Sequence, residues 1–206
     1  MVTDDDLLSF LHAIAAHEPM TTVLDADPGL ATARLTTNAT PSTAPRYFLD
    51  RCHLQLYKGD SALHVAAAAY DTPTARRLVA AGADIRARNR RGAEPLHAAM
   101  VGAPGADTWN PRRQVAMIDY LLGVGAEVDA TAAGGVTPLH RAVRNRCSAA
   151  VEALLAAGAD PQRTNDRGST AMDLARWTTG RGGSGSPEAK AEQARIIALL
   201  EAVRAG

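Results

Sequence analysis

Apolar residues recur along this chain in short blocks of helical period, cut apart by glycine and proline. Over residues 4–16, DDDLLSFLHAIAA, they fall at 7, 8, 11, 14 and 15, which is one face of a helix. The leading aspartates suit a helix N-terminus, where the macrodipole favours negative charge. Pro19 punctuates, MTTVLDAD predicts a second short helix closed by Pro28 and Gly29, and LATARL predicts a further helical turn. The polar stretch TTNATPSTAPR, 36–46, predicts a loop. YFLDRCHLQLY is apolar again, and predicts a short helix after Pro45 leading into an extended HLQLY. Residues 1–57 are therefore expected to form a helical N-terminal segment, a worn helix pair that caps the rest of the chain.

From residue 58 the pattern repeats. Gly59, Gly92, Gly135 and Gly168 open four units, at separations of 33, 43 and 33 residues. Leu-His pairs end at His64, His97 and His140, and Gly-Ala-Asp/Glu triplets begin at Gly82, Gly125 and Gly158. A period near 33 is that of helix–turn–helix units joined by β-turns. The longer interval is one period with about ten residues inserted. The units run over about 58–90, 91–133, 134–166 and 167–206.

These residues resemble the ankyrin repeat. GDSALHVAA, GAEPLHAAM, GVTPLHRAV and GSTAMDLAR match its opening, and RRLVAAGAD, IDYLLGVGAE and VEALLAAGAD match its second helix and stop. The likeness covers 58–206, with three clear repeats and a divergent fourth. It implies an all-α solenoid of helix–turn–helix units with β-turn fingers, and a function in protein–protein interaction. Two departures stand out: Glu94 replaces the usual Thr, and Met172-Asp173 replace Leu-His.

Each motif letter has a physical use. Ser61, Thr137 and Thr170 sit where a helix N-cap belongs, ahead of Ala62, Pro138 and Ala171 at the first helical position. Paired alanines let helices approach, and Leu121-Leu122 and Leu154-Leu155 fill the space between layers. Gly82, Gly125 and Gly158 end the second helices through a left-handed turn. No unit can bury its apolar face alone, so the stack is the folding unit. In the closing helix, Glu192, Arg195, Glu201 and Arg204 are expected on the wet side.

Two interruptions break the period, at 102–113 and 178–192, both between the helices of a unit. They are expected on one edge, opposite the fingers. The second contains GRGGSG, 180–185, literally a G-x-G-x-x-G. The dinucleotide fingerprint needs a preceding strand, and here a helix precedes it.

Composition narrows the function. Basic and acidic residues balance at 22 each, so no global field favours nucleic acid or membrane. Aromatics make up 4%, which fits small-residue packing between close helices. Cys52 and Cys147, far apart, fit free thiols in a reducing compartment. An acidic N-terminus and the lack of a long apolar run predict a cytoplasmic protein, expected to be a monomer. The three motif histidines lie one per layer and cannot converge on a single metal. The ankyrin likeness assigns them to hydrogen bonds linking helix and turn. Cys52 and His53 are adjacent, which is not how a nucleophile meets its base. No enzyme, metal site or cofactor is expected.

What remains is surface. The finger IRARNRRG carries Arg86, Arg88, Arg90 and Arg91, whereas the later fingers are less basic. The positions that the repeat leaves free carry Tyr70, Met100, Arg141, Arg144 and Trp177, with Trp109 in the first interruption. Aromatic, Met and Arg side chains are the types enriched at interfaces. The candidate partner-binding set is thus Arg88, Arg90, Arg91, Tyr70, Met100, Trp109, Arg141, Arg144 and Trp177, on the concave face and fingers. Its five arginines are expected to form one basic stripe facing an acidic protein partner, with an adaptor, inhibitor or assembly role. The alternative is a small-anion or nucleotide sensor built on the Gly-rich loop 180–186.

Overall fold

Each opening motif folds into a turn that starts a helix, and successive starts stack. The structure is a computed structural model that describes residues 2–102, 104–180 and 186–205. The chain begins with α1 (Asp4–Ala15), α2 (Thr21–Ala26) and α3 (Gly29–Thr32). A two-stranded antiparallel hairpin comes next, β1 (Phe48–Leu49) and β2 (Leu54–Gln55), pairing Phe48 with Gln55 and Leu49 with Leu54. Then come four helix pairs: α4 (Ala62–Ala68) with α5 (Thr72–Ala80), α6 (Pro95–Ala98) with α7 (Pro111–Gly123), α8 (Pro138–Arg144) with α9 (Ser148–Ala156), and α10 (Ala171–Gly180) with α11 (Pro187–Ala205). The helices form two layers. One row runs α1, α4, α6, α8, α10, and the other α3, α5, α7, α9, α11, each helix packing on the next in its row. The architecture is the all-α solenoid that the sequence implies.

The motif leucines make the core. Leu63, Leu96 and Leu139 in the first row, and Leu78, Leu121 and Leu154 in the second, are buried. Each such burial stabilises by about 1.5–3 kcal/mol. The motif histidines tie the layers together. The backbone N–H of Ser61, Glu94 and Thr137 donates to Nδ1 of His64, His97 and His140, each at 3.2 Å. The far ring nitrogens meet the carbonyls of Ala93 (3.0 Å), Val136 (3.0 Å) and Ser169 (3.1 Å), each in the next unit. One nitrogen accepts while the other donates, so this arrangement requires neutral imidazoles. Burial, with Arg141 nearby, pulls the His97 pKa down to about 3, and burial also lowers that of His140.

The fingers join in a ladder. The Arg90 N–H donates to the Lys58 carbonyl (2.7 Å), Ala133 to Arg91 (2.7 Å) and Asp166 to Gly134 (2.9 Å). Gly135 is required where fingers meet: a Cβ there would lie 2.5 Å from Asp166 Oδ1 and 2.8 Å from its backbone N, at a φ of +67°.

Three expectations need correcting. Over YFLDRCHLQLY the expected extension holds at Leu54–Gln55, but the short helix expected after Pro45 is not there. A 3-10 turn over Ala44–Tyr47 leads into the hairpin, whose tip is a second 3-10 turn at Asp50–Cys52, closed by His53 in the left-handed conformation. The segment is too short to gain from helical hydrogen bonding, whereas burying Tyr47, Leu49, Cys52 and Leu56 fixes the hairpin against the body. The loop before it is held on α1: Asp4 accepts from Thr36 and Thr37, Arg46 pairs with Asp5 at 2.7 Å, and His12 Nε2 meets the Arg46 carbonyl at 2.8 Å.

Second, the interruption at 178–192 does not begin where the preceding helix ends: α10 continues to Gly180, while α11 starts at Pro187, where Ser186-Pro187-Glu188 reads as a helix start. The interruption at 102–113 is a loop only as far as Asn110, whose side chain caps α7 by accepting from the Arg113 N–H (3.0 Å). The two interruptions approach across the third unit, with Gly105 near Ser186. Third, Glu192 does not lie on the wet side. It is half-buried and accepts the Ser148 N–H at 3.0 Å, capping α9, whose own N-cap Cys147 offers no side-chain bond.

Candidate protein-binding surface

The second unit differs from the first and third in one decisive respect. Its first helix, α6, has four residues where α4 and α8 have seven. The carbonyls that a longer helix would satisfy are left at its C-terminus. Side chains from three units take them up. Gln114 donates to the Ala99 carbonyl at 2.9 Å, Asn145 to Met100 at 2.5 Å, and the Tyr70 hydroxyl to Val101. Arg141 adds a bond from Nη1 to the His97 carbonyl at 3.2 Å. Trp109 orients Gln114, donating from Nε1 to its Oε1 at 3.0 Å.

In front of this rebuilt helix end lies a groove of about 310 Å³. The hairpin side is formed by Leu54, Gln55 and Tyr57, the finger side by Asn89 and Arg91, and the floor by His97, Ala98, Arg141 and Arg144. Asp60 is buried at its rim, with its carboxylate accepting from the Tyr57 N–H (2.7 Å) and from Asn89 Nδ2 (2.9 Å). Arg90 and Arg91 stack on the Tyr57 ring, at 5.2 and 5.3 Å from its centroid. Burial lowers the Arg141 pKa, and the neighbouring charges of Arg91 and Arg144 push it the same way. Arg144 is exposed and has no acidic partner among the described residues.

Comparison with known proteins matches the first and third units and the parts of the second and fourth that flank the third. A model of single ankyrin repeats matches residues 58–90, and one described as ankyrin repeats (many copies) matches 121–175. The chain carries ankyrin repeats. It is similar to mouse ankyrin repeat and SOCS box protein 16, 39% identical over 113 residues, which is 55% of this chain and 24% of the relative. The human protein of that name is 35% identical over 116 residues, 56% of this chain and 25% of the relative. Zebrafish neurogenic locus notch homolog protein 1 is 32% identical over 117 residues, 57% of this chain and 4% of the relative. The chain thus spans a quarter or less of these curated relatives.

Within this ankyrin array, the candidate residues separate. Arg91, Arg141 and Arg144 share the groove, with Arg90 stacked beside Arg91 on Tyr57. Arg88 is occupied: both Nε and Nη2 lie 3.0 Å from Oε1 of Glu94, a buried carboxylate whose Oε2 has no partner. Arg86, outside the candidate set, pairs with Glu127 at 3.0 Å. Met100 and Tyr70 are not surface positions. Met100 is buried in the core, and Tyr70 is buried at a φ of +54°, with its hydroxyl engaged at the α6 end. Trp109 is half-buried against the body. The side chain of Trp177 and residues 181–185 of the Gly-rich loop lie outside the described residues. Sequence reasoning missed Tyr57, the ring beneath two arginines; its only signal was an aromatic residue two places before the first motif glycine. Both thiols are buried, which pushes Cys52 up to about 11 and Cys147 up to about 12. No group of three or more His, Cys, Asp or Glu suited to a metal occurs among the described residues, and no helix there is long and apolar enough to cross a membrane.

Proposed function

We propose that this protein acts as a cytoplasmic adaptor, inhibitor or assembly factor that captures an acidic protein segment in the groove between the hairpin, the second finger and the first helix row. Ankyrin repeats indicate a protein–protein interaction module and are generally a non-enzymatic fold. The observation that carries the acidic reading is the sorting of arginines. Arg86 and Arg88 have carboxylates of their own, while Arg90, Arg91, Arg141 and Arg144 gather at the groove without forming an ion pair among the described residues. Among the described residues Asp60 is the one carboxylate lining the groove, and its oxygens already accept from Tyr57 and Asn89, so the crowded guanidiniums can still take an anion from outside. An incoming carboxylate would gain charge-assisted, fork-shaped hydrogen bonds from the guanidiniums.

Two interpretations of residues 1–57 support this use. His17, Tyr70 and Arg146, each following the first helix of a pair, share a left-handed conformation, which supports α1 to α3 being a degenerate capping repeat. The hairpin then becomes an insertion in the first finger, and it walls the groove. The test is affinity purification of partners from native extract with the full chain, repeated with Arg90→Glu/Arg144→Glu. Partners held by wild type and lost by the double variant support the reading. Equal recovery by both moves the binding surface elsewhere.

A further inference from the structure

A second cleft opens beside the arginine groove, with a volume of about 540 Å³. Cys52 at the hairpin tip, Tyr70, Val101, Ala106 and Trp109 supply its walls. The two spaces are neighbours: His53, Val101 and Asn145 line both. Their chemistry is opposite. The first presents guanidinium groups. The second presents mostly carbon: besides His53 and Thr108, its polar side chains are already engaged, the Tyr70 hydroxyl on Val101, the Asn145 amide on Met100, and the Trp109 N–H on Gln114. An apolar side chain entering there displaces water and loses no hydrogen bond, whereas a polar one finds few groups to replace its water.

We propose that one extended segment of the partner fills both spaces, with an acidic residue on Arg91, Arg141 and Arg144 and a neighbouring bulky apolar side chain in the cleft. This rests on the protein-binding reading above and specifies the segment that is recognised. The division of labour follows from magnitudes. A charge pair at an open rim adds little affinity but fixes register, while a buried apolar anchor supplies binding energy. Val101 is the hinge between them, placed by the shortening of α6, a change that the first and third units lack. The recognition site is therefore built where the repeat is broken.

The test uses the full chain and a displayed library of random peptides of about a dozen residues, a length suited to groove-bound segments. Enriched peptides should pair Asp or Glu with Leu, Phe or Trp at one fixed spacing. The strongest, synthesised and followed by fluorescence anisotropy, should bind Arg144→Glu roughly thirtyfold more weakly, because the reversal replaces a weak attraction by a like-charge repulsion. It should bind Ala106→Arg, which places a long side chain in the cleft from a half-buried lining position, at least as weakly, because the apolar anchor is lost. Replacing the peptide's apolar residue by Ala should then cost nothing further in Ala106→Arg, as expected for a shared contact. Thermal melts should show both variants folded. Acid-only peptides that keep full affinity for Ala106→Arg would overturn the two-part site and leave the basic groove standing. Peptides indifferent to both substitutions, or no enrichment, would overturn the inference, while the partner purification above judges the broader reading independently.

Discussion

The second and third units are built from the same letters and put them to different uses. In the third, Thr137 meets His140 both through its backbone and through its hydroxyl (2.8 Å), α8 runs for seven residues, and Asn145, Arg146 and Cys147 lead directly into α9. In the second, a buried glutamate stands in place of the threonine, α6 is cut to four residues, and a loop intervenes before α7. The third unit runs its first helix to full length and turns directly into its second, whose start Glu192 of the fourth unit caps. The second relies on Tyr70, Gln114, Arg141 and Asn145 to satisfy its carbonyls and on Arg88 to neutralise its acid. A regular repeat is featureless, and a broken one makes both unsatisfied groups and a shaped surface.

The largest expected effect concerns what the two units share. Leu96→Ala and Leu139→Ala remove equally buried side chains, and each should lower unfolding free energy in urea by about 3 kcal/mol. If Leu96→Ala cost far less, the second unit would be a loose insertion and the comparison would fail.

Acid should strike both units. His97 and His140 are held neutral in the fold, with pKa values below that of an unfolded histidine. Below about pH 6.5 the unfolded chain takes up protons that the folded chain refuses, so His97 makes stability fall as pH falls from there toward 4, by up to about 1.4 kcal/mol per pH unit, and His140 acts in the same direction. His97→Gln should reduce the slope of unfolding free energy against pH near pH 5 by about one proton; an unchanged slope would mean that His97 titrates in place.

The capping position should respond with opposite signs. Thr137→Val removes a helix cap and should destabilise by about 1 kcal/mol. Glu94→Thr removes a carboxylate oxygen that is buried without a partner and restores the cap, and should stabilise by about 1 kcal/mol. Thermal melts of the two variants should therefore move apart. Smallest of all, Arg86→Ala breaks an exposed pair with Glu127 and should change stability by less than about 0.5 kcal/mol. Partner binding should be untouched by it.

The solenoid was legible because glycine, threonine, proline, leucine and histidine each have one local use, and that use recurs at a fixed period. The bridging role of His64, His97 and His140 came from the family likeness, since no single unit reveals that a ring reaches the next. Of the five arginines read as one stripe, Arg91, Arg141 and Arg144 line the groove and Arg90 stacks on Tyr57, while Arg88 faces Glu94, six residues on, which only the packed unit reveals. Met100 was misplaced because it sits just beyond the motif letters, where the repeat says nothing of direction; its side chain is buried in the core. Tyr70 is buried too, yet it walls the cleft beside the groove while its hydroxyl holds the end of α6. The hairpin was hidden for a similar reason: residues 47–57 carry no periodic signal, and tertiary burial of Leu49 and Leu56 decides their shape.

The most direct measurement is the affinity of an acidic partner segment as a function of salt, for the wild-type chain and for Arg90→Glu/Arg144→Glu. If the groove arginines carry recognition, wild-type affinity falls as salt rises, and the double variant binds weakly with little remaining salt dependence. Equal affinities with parallel salt curves would show that the charges at the groove do not hold the partner.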